Sequence, residues 1–521
     1  MLAAIRSAAV VGIDAYHVVV EVDVAQGLPQ WTIVGLPAGA VKESRERVSA
    51  ALVNSGFQVP PRRITINLAP ADTRKDGTAF DLPIALGLLA ATGQLSADRV
   101  AALVALGELG LDGSLRPVRG ILPVARLLAR DGVALVVPRL NVPEASLVSA
   151  LRLGAPASLG ELVDALREGA LPPPPSPSSL PAPMQDAADM TDVVGQDLVK
   201  RALEIAAAGG HALLMIGPPG AGKTMLARRL PTILPALTEG EALEVVAIHS
   251  VAGLVPPGEV PAGRRPFRAP HHSLSAAALI GGGSAPRPGE VSLAHHGVLF
   301  LDEMQEMPRH VLDALRQPLE EGRITIARAA STIAFPAQFT LVGAMNPCAC
   351  GKSGVADSLC TCSALDIAKH RARISGPLAD RIDMTVYVPA VPLRALADGG
   401  GAEPSAAIRE RVEMARARQL VRYQHFVRVT CNAHVHGRWL DLRGGLEPSA
   451  RELLATAAER LRLSARGYHR VLKVARTIAD LDGDPGIASR HVAEALHYRT
   501  GEGSHGMDAP VAAAATAEPP R

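Results

Sequence analysis

Residues 217–224 read GPPGAGKT, directly after the apolar run HALLMI (211–216) and at the head of a helix-forming stretch. This G-x-x-x-x-G-K-[ST] spacing restricts the chain to folds in which a buried strand ends in a phosphate-cradling loop and a helix. Glycines let backbone N–H groups close around phosphate oxygens, and the helix N-terminus favours the anion. Gly217, Pro218, Pro219, Gly220, Ala221, Gly222, Lys223 and Thr224 are the expected nucleotide-binding residues. Lys223 reaches the outer phosphates and the Thr224 hydroxyl is directed to Mg²⁺. The chain carries only seven lysines beside 46 arginines, so a lysine at the one position the motif requires is informative.

A second apolar run, GVLFLDE (297–303), ends in two carboxylates. Asp302 is placed to hold the Mg²⁺ shell and Glu303 to polarise a water for attack on the γ-phosphate. A third run, FTLVGAMN (339–346), ends in Asn346, which can bridge that water and the phosphate. Continuous apolar runs of this kind are the pattern of a parallel sheet covered on both faces. Lys223 and Asp302 are 79 positions apart, more than the roughly 30 residues of one βαβ unit. The excess includes RRPFRAPHHSLSAAALIGGGSAPRPGE (264–290), whose glycines and prolines predict a surface insertion without helix.

The length of 521 residues suits about three domains, and 48% hydrophobic residues can build their cores. LPPPPSPSSLPAP (171–183), with seven prolines in thirteen residues, reads as an extended linker spanning 171–190. Before it, in residues 1–170, strand-like runs at 17–24, 31–36, 63–69 and 133–138 alternate with helical patterns at 38–54, 81–92 and 120–130. After it come an α/β nucleotide-binding region (191–395), a helical region (396–500) and a tail (501–521) expected to be disordered. No run approaches the roughly 18 apolar residues that span a bilayer, and the N-terminus lacks a signal-peptide pattern, so a cytoplasmic protein without membrane partners is expected. Net charge is +2, yet residues 401–500 hold 17 Lys and Arg against 11 Asp and Glu, a weak polyanion signal.

Four of the five cysteines fall at 348, 350, 360 and 362 in a C-x-C…C-x-C arrangement. Cys348, Cys350, Cys360 and Cys362 suit tetrahedral Zn²⁺ in a structural role or, alternatively, a redox pair. Cys431 stands alone and reads as a core residue. The pairs His271–His272 and His295–His296 lack spaced partners and read as structural or solvent-facing. RITIARAASTIAF (323–335) alternates with period two around small residues, the pattern of a β-hairpin with Arg328 near its tip.

RPFRAPHHS, LIGGGSAPRPGEVSLAHHGVLFLDE, LRQPLEEGRITIARA and GAMNPCACG resemble the magnesium-chelatase-like AAA+ ATPases, specifically the YifB/ComM group, over residues 5–500. The resemblance implies a P-loop AAA+ α/β domain with a parallel sheet, a C-terminal helical lid and a homo-hexameric ATPase ring. In that group the competence-associated member is regarded as a DNA branch-migration helicase. It also implies that Arg381 in GPLADRID is an arginine finger entering the neighbouring subunit's site, and Arg466 in LSARGYHR a sensor-2 arginine on the lid. An arginine in DRID could equally pair with Asp380 or Asp383. In ring motors a hairpin like 323–335 faces the pore, which makes Arg328 a candidate DNA phosphate contact or else an ordinary solvated arginine. A Zn²⁺ at the cysteines would hold the loop between Asn346 and Arg381.

Residues 1–170 look like the protease domain of Lon, with a ribosomal-S5-like α/β fold. The stretch matching the Lon nucleophile motif is DGTAFD (76–81), where Ala79 replaces the serine and Thr78 is one position off. Leu122 stands where the dyad lysine belongs. An alanine carries no nucleophilic oxygen, so proteolysis is not expected. The expected function is an ATP-driven DNA motor; the alternative is a metal-insertion motor like the chelatase I subunit.

Overall fold

The computed structural model describes residues 1–175, 188–259, 264–283, 286–328, 331–353, 360–391, 402–426 and 429–500. Most of the proline-rich linker and the whole tail after 500 lie outside the described residues.

The N-terminal region is built on seven strands: β1 (Leu2–Val11), β2 (Asp14–Ala25), β3 (Gln30–Val34), β4 (Arg63–Ala69), β5 (Leu103–Ala105), β6 (Ala134–Val136) and β7 (Leu153–Gly154). They lie in the order β3-β4-β2-β1-β5-β6-β7. β1 and β2 form an antiparallel hairpin with Ile5 opposite Val20, whereas β5, β6 and β7 pair in parallel. Alternation explains the long hairpin, since Ala3, Ile5, Val18, Val20, Val22 and Val24 all turn to one buried face. The helix Asp81–Ala91 packs on that face and is buried along its whole length.

After the linker the chain forms β8 (Leu213–Ile216), β9 (Phe267–Arg268), β10 (Val298–Leu301), the hairpin β11 (Arg323–Arg328) and β12 (Ser331–Pro336), then β13 (Thr340–Met345) and β14 (Met384–Tyr387). Five of these make one sheet in the order β9-β10-β13-β8-β14, and every pairing in it is parallel. β10 and β13 are buried at every residue, which is why their sequences read as unbroken apolar runs. The C-terminal region is helical, with Ser405–Tyr423, Pro448–Arg460, Ala465–Asp482 and Ser489–Thr500 as its longer members. It shares one hydrophobic cluster with the sheet, in which Leu213, Met215 and Val386 join Val412, Leu472 and Ile478. Among the described residues no helix is long and apolar enough to cross a membrane.

One expectation needs correcting. The stretch 264–290 is not a helix-free surface insertion. Phe267–Arg268 is the edge strand β9, Ser275 caps a five-residue helix Ala276–Ile280, and Leu279 is fully buried. Its glycines and prolines break the stretch into short pieces, but its apolar residues still reach the core.

The N-terminal sheet and the second region are joined by direct contacts. Leu122 packs against Val246 and Ala247 of the helix Glu239–Ala252. The Gly120 N–H donates to Ser250 Oγ at 3.0 Å, and the Ser250 hydroxyl donates to the buried Glu144 carboxylate. The Leu122 N–H reaches the same carboxylate at 2.7 Å. At the tip of the β1–β2 hairpin, Gly12 lies so close to Ile333 of β12 that an added Cβ would be 2.9 Å from its side chain.

Candidate nucleotide site

In a parallel sheet, ligands gather at the carboxyl ends of the strands. Here the segment Gly217–Thr224 follows β8, Asn346 follows β13, and Asp302–Glu303 follow β10. Because β13 lies between β8 and β10, Asn346 comes to stand between the glycine-rich loop and the carboxylates. Gly217 has no room for a side chain: a Cβ would meet the Val388 carbonyl at 2.3 Å. Gly222 takes φ 86° at the head of the helix Lys223–Ile233, a conformation that side chains resist.

Lys223 is 8% exposed, and its Nζ donates to Gly217 O at 2.7 Å, Pro218 O at 2.9 Å and Asn346 Oδ1 at 3.2 Å. Burial pushes its ammonium below the usual lysine range, against the opposing pull of Asp302 and Glu303. The Thr224 hydroxyl donates to Asp302 Oδ2 at 2.7 Å, so two hard oxygen donors meet where Mg²⁺ is expected. Glu303 sits in the left-handed region at φ 50°, and its N–H donates to Asp302 Oδ1 at 3.0 Å.

Glu303 has a partner that sequence reasoning missed. His272 Nδ1 lies 3.2 Å from Glu303 Oε2. The loop bearing His272 leaves β9, the parallel neighbour of β10, from the same sheet end, and this brings residues 31 positions apart into contact. Its companion His271 bonds Ser273 Oγ at 2.8 Å. The other pair is structural: His295 is 2% exposed and, like His296, lies 3.0 Å from Glu244. The Gln338 N–H donates to His295 Nδ1, which leaves the proton on Nε2 and no lone pair there for a metal.

Arg381 and Arg466 do not join this group within the chain. Arg381 is 4% exposed, with Nη1 donating to Pro377 O at 2.6 Å and Nη2 to Glu320 Oε1 at 2.5 Å. Arg466 Nη2 lies 3.7 Å from the same Glu320 oxygen. The pairings open to Arg381 in the sequence are taken by others, since Arg470 holds Asp383 and Arg499 lies 3.7 Å from Asp380. Cys348, Cys350 and Cys360 have sulfurs 3.3 to 3.7 Å apart, and the Cys362 sulfur lies within 4.8 Å of each of them. Cys431 is buried, 3.3 Å from His434. Arg328 ends β11, but its side chain lies outside the described residues.

Residues 189–396 match the family model described as magnesium chelatase, subunit ChlI. Residues 20–141 match the subunit ChlI of Mg-chelatase, and 402–499 its C-terminal part. The chain is 44% identical to the competence protein ComM of Haemophilus influenzae over 507 residues, covering 96% of this chain and 97% of ComM. It is 43% identical to the uncharacterized protein YifB of Salmonella typhimurium over 505 residues, again covering 96% and 97%. Against the magnesium-chelatase 38 kDa subunit of Cereibacter sphaeroides it is 29% identical over 171 residues, 30% of this chain and 51% of that subunit.

Proposed function

The chain belongs to the magnesium-chelatase-like family of ComM and YifB, an ATPase family that uses ATP and Mg²⁺, and from this premise we propose that it is the subunit of a hexameric ring that turns ATP hydrolysis into movement along DNA, as a branch-migration or helicase motor in the cytoplasm. The observation that carries the reading is the meeting of Lys223, Asn346, Thr224 and Asp302 at the ends of three adjacent parallel strands.

In this reading the ammonium of Lys223 exchanges its carbonyl partners for the outer phosphates, and Gly217–Gly222 supply backbone N–H groups. Thr224 and Asp302 would hold Mg²⁺, which would supply neutralisation of charge on the phosphates. Glu303 takes the proton of the attacking water and Asn346 orients that water. Arg381, tied to Glu320 and not to its own P-loop, acts on the neighbouring subunit's nucleotide, and Arg466, beside the same Glu320, is the sensor-2 arginine of the lid. Residues 1–170 are a Lon-like domain without proteolysis, 191–395 the AAA+ domain and 396–500 its lid. The packing around the former protease motif supports this, because Ala79 lies against the apolar cluster of Val104 and Val124, Thr78 donates to Glu108, and Leu122 is occupied with the helix Glu239–Ala252.

DNA is favoured as the substrate by the likeness to a competence protein along nearly the whole chain, against less than a third of it for the chelatase subunit. The test is ATP hydrolysis with and without forked or four-way-junction DNA. Stimulation by DNA supports the motor, and an ATPase indifferent to DNA turns the reading to metal insertion.

A further inference from the structure

The cysteine cluster stands against the nucleotide loop, and that contact points beyond a local staple. Its four sulfurs come as two pairs from two segments. Cys348 and Cys350 follow β13 directly after Asn346, whereas Cys360 and Cys362 precede the helix Ala364–Arg371, whose start is fixed by a capping box between Ser363 and Asp366. Around Zn²⁺ with Zn–S bonds of about 2.3 Å, a regular tetrahedron has edges of about 3.8 Å. The sulfur separations of 3.3, 3.5 and 3.7 Å lie close to those edges. The Ser353 N–H donates to Cys348 Sγ at 3.3 Å, the kind of outer bond that stabilises a thiolate ligand.

Directly after Cys350, the second cysteine of the first pair, Gly351 lies against the P-loop. A Cβ there would be 2.7 Å from Cδ of Pro219 and 3.0 Å from its Cγ. Two residues before Cys348, the Asn346 side chain bonds Lys223, and its carbonyl lies 3.2 Å from His370 Nε2 of the following helix. The cluster thus closes a short loop that touches the P-loop at Pro219 and at Lys223.

We propose that Cys348, Cys350, Cys360 and Cys362 bind one Zn²⁺ per chain and that this ion braces the P-loop, so that tight nucleotide binding depends on it. The ion does no chemistry on the phosphates. It joins the end of β13 to the helix Ala364–Arg371 and so fixes the height at which Gly351 supports Pro219. The bracing role rests on the P-loop reading given above, whereas metal content does not.

The test uses the full chain purified without added metal. Elemental analysis should find one zinc per chain, and exchange for Co²⁺ should give a thiolate-to-cobalt charge-transfer band. Chelation should weaken binding of a fluorescent ATP analogue on the order of tenfold or more, and added Zn²⁺ should restore it. Cys348→Ser with Cys360→Ser should lose the metal. Should that variant fail to fold, Gly351→Val remains decisive, because it keeps all four sulfurs and should retain zinc while binding the analogue more weakly. A metal-free chain with four free thiols, or with disulfides, that binds the analogue with full affinity overturns the proposal, as does chelation without effect on binding. Lys223→Ala separates the two readings: it should lose the analogue and keep the zinc. If it bound ATP normally, the P-loop assignment would fall while the zinc count still stood.

Discussion

In the mechanism proposed above, Lys223 and Glu303 serve the same phosphates with different tasks, so their removal should separate binding from chemistry. Lys223→Ala should lose nucleotide binding, because a cation that is buried and already aimed at the site is gone. Glu303→Gln should bind ATP normally and turn over slower by about 10²–10⁴, the usual worth of a positioned general base. Wild-type turnover in Glu303→Gln would remove that carboxylate from the mechanism. His272 adds a finer prediction. Held 3.2 Å from Glu303, it orients a carboxylate whose backbone is already in an unfavourable region. His272→Ala should lower kcat several-fold with ATP affinity unchanged, and His272→Asn, which keeps a donor, should recover part of it. A change in affinity alone would rule the positioning role out. The P-loop and the Asp302–Glu303 pair were legible in the sequence because their chemistry demands fixed local spacing. His272 was not, because its contact depends on two strands lying side by side, and neighbouring histidines carry no spacing signal.

At the scale of elements, the continuous runs before 217, 302 and 346 announced β8, β10 and β13, and the alternation from 323 announced the hairpin. The stretch 264–290 was misread because its short pieces gain their structure from burial against other elements, which periodicity does not register. The same holds for the helix Glu239–Ala252 and its grip on the N-terminal sheet through Leu122, Gly120 and Glu144. Leu122 is fully buried, so Leu122→Ala should destabilise this junction by about 2–5 kcal/mol. Hydrogen exchange localises the effect: amides of Glu239–Ala252 should lose protection while those of β8 and β13 keep theirs. Unchanged protection in that helix would mean that the junction does not depend on Leu122.

At the scale of the whole molecule, one hydrophobic cluster crosses the point where the helical pattern begins, since its members run from Met190 to Tyr498. Contacts across more than two hundred residues leave no local trace in a sequence. Assembly supplies the remaining prediction. Arg381→Ala should keep ATP binding and lose turnover by about 10³–10⁵, the worth of an arginine finger. Mixed with Lys223→Ala chains, each inactive alone, it should regain part of the activity, because some intact Arg381 side chains then stand beside intact P-loops. Absence of rescue at every mixing ratio would assign Arg381 to its own chain.

The meeting of Gly12 with Ile333 has a mechanical meaning. A two-stranded hairpin standing free is only marginally stable in water and holds its shape through what it packs against. Here β12 leans on the turn of a hairpin whose strands are ten and twelve residues long and whose sheet continues through five more strands. The hairpin β11–β12 is therefore supported by a seven-stranded sheet instead of standing free. On these contacts the N-terminal sheet has the value of a foundation for the second region.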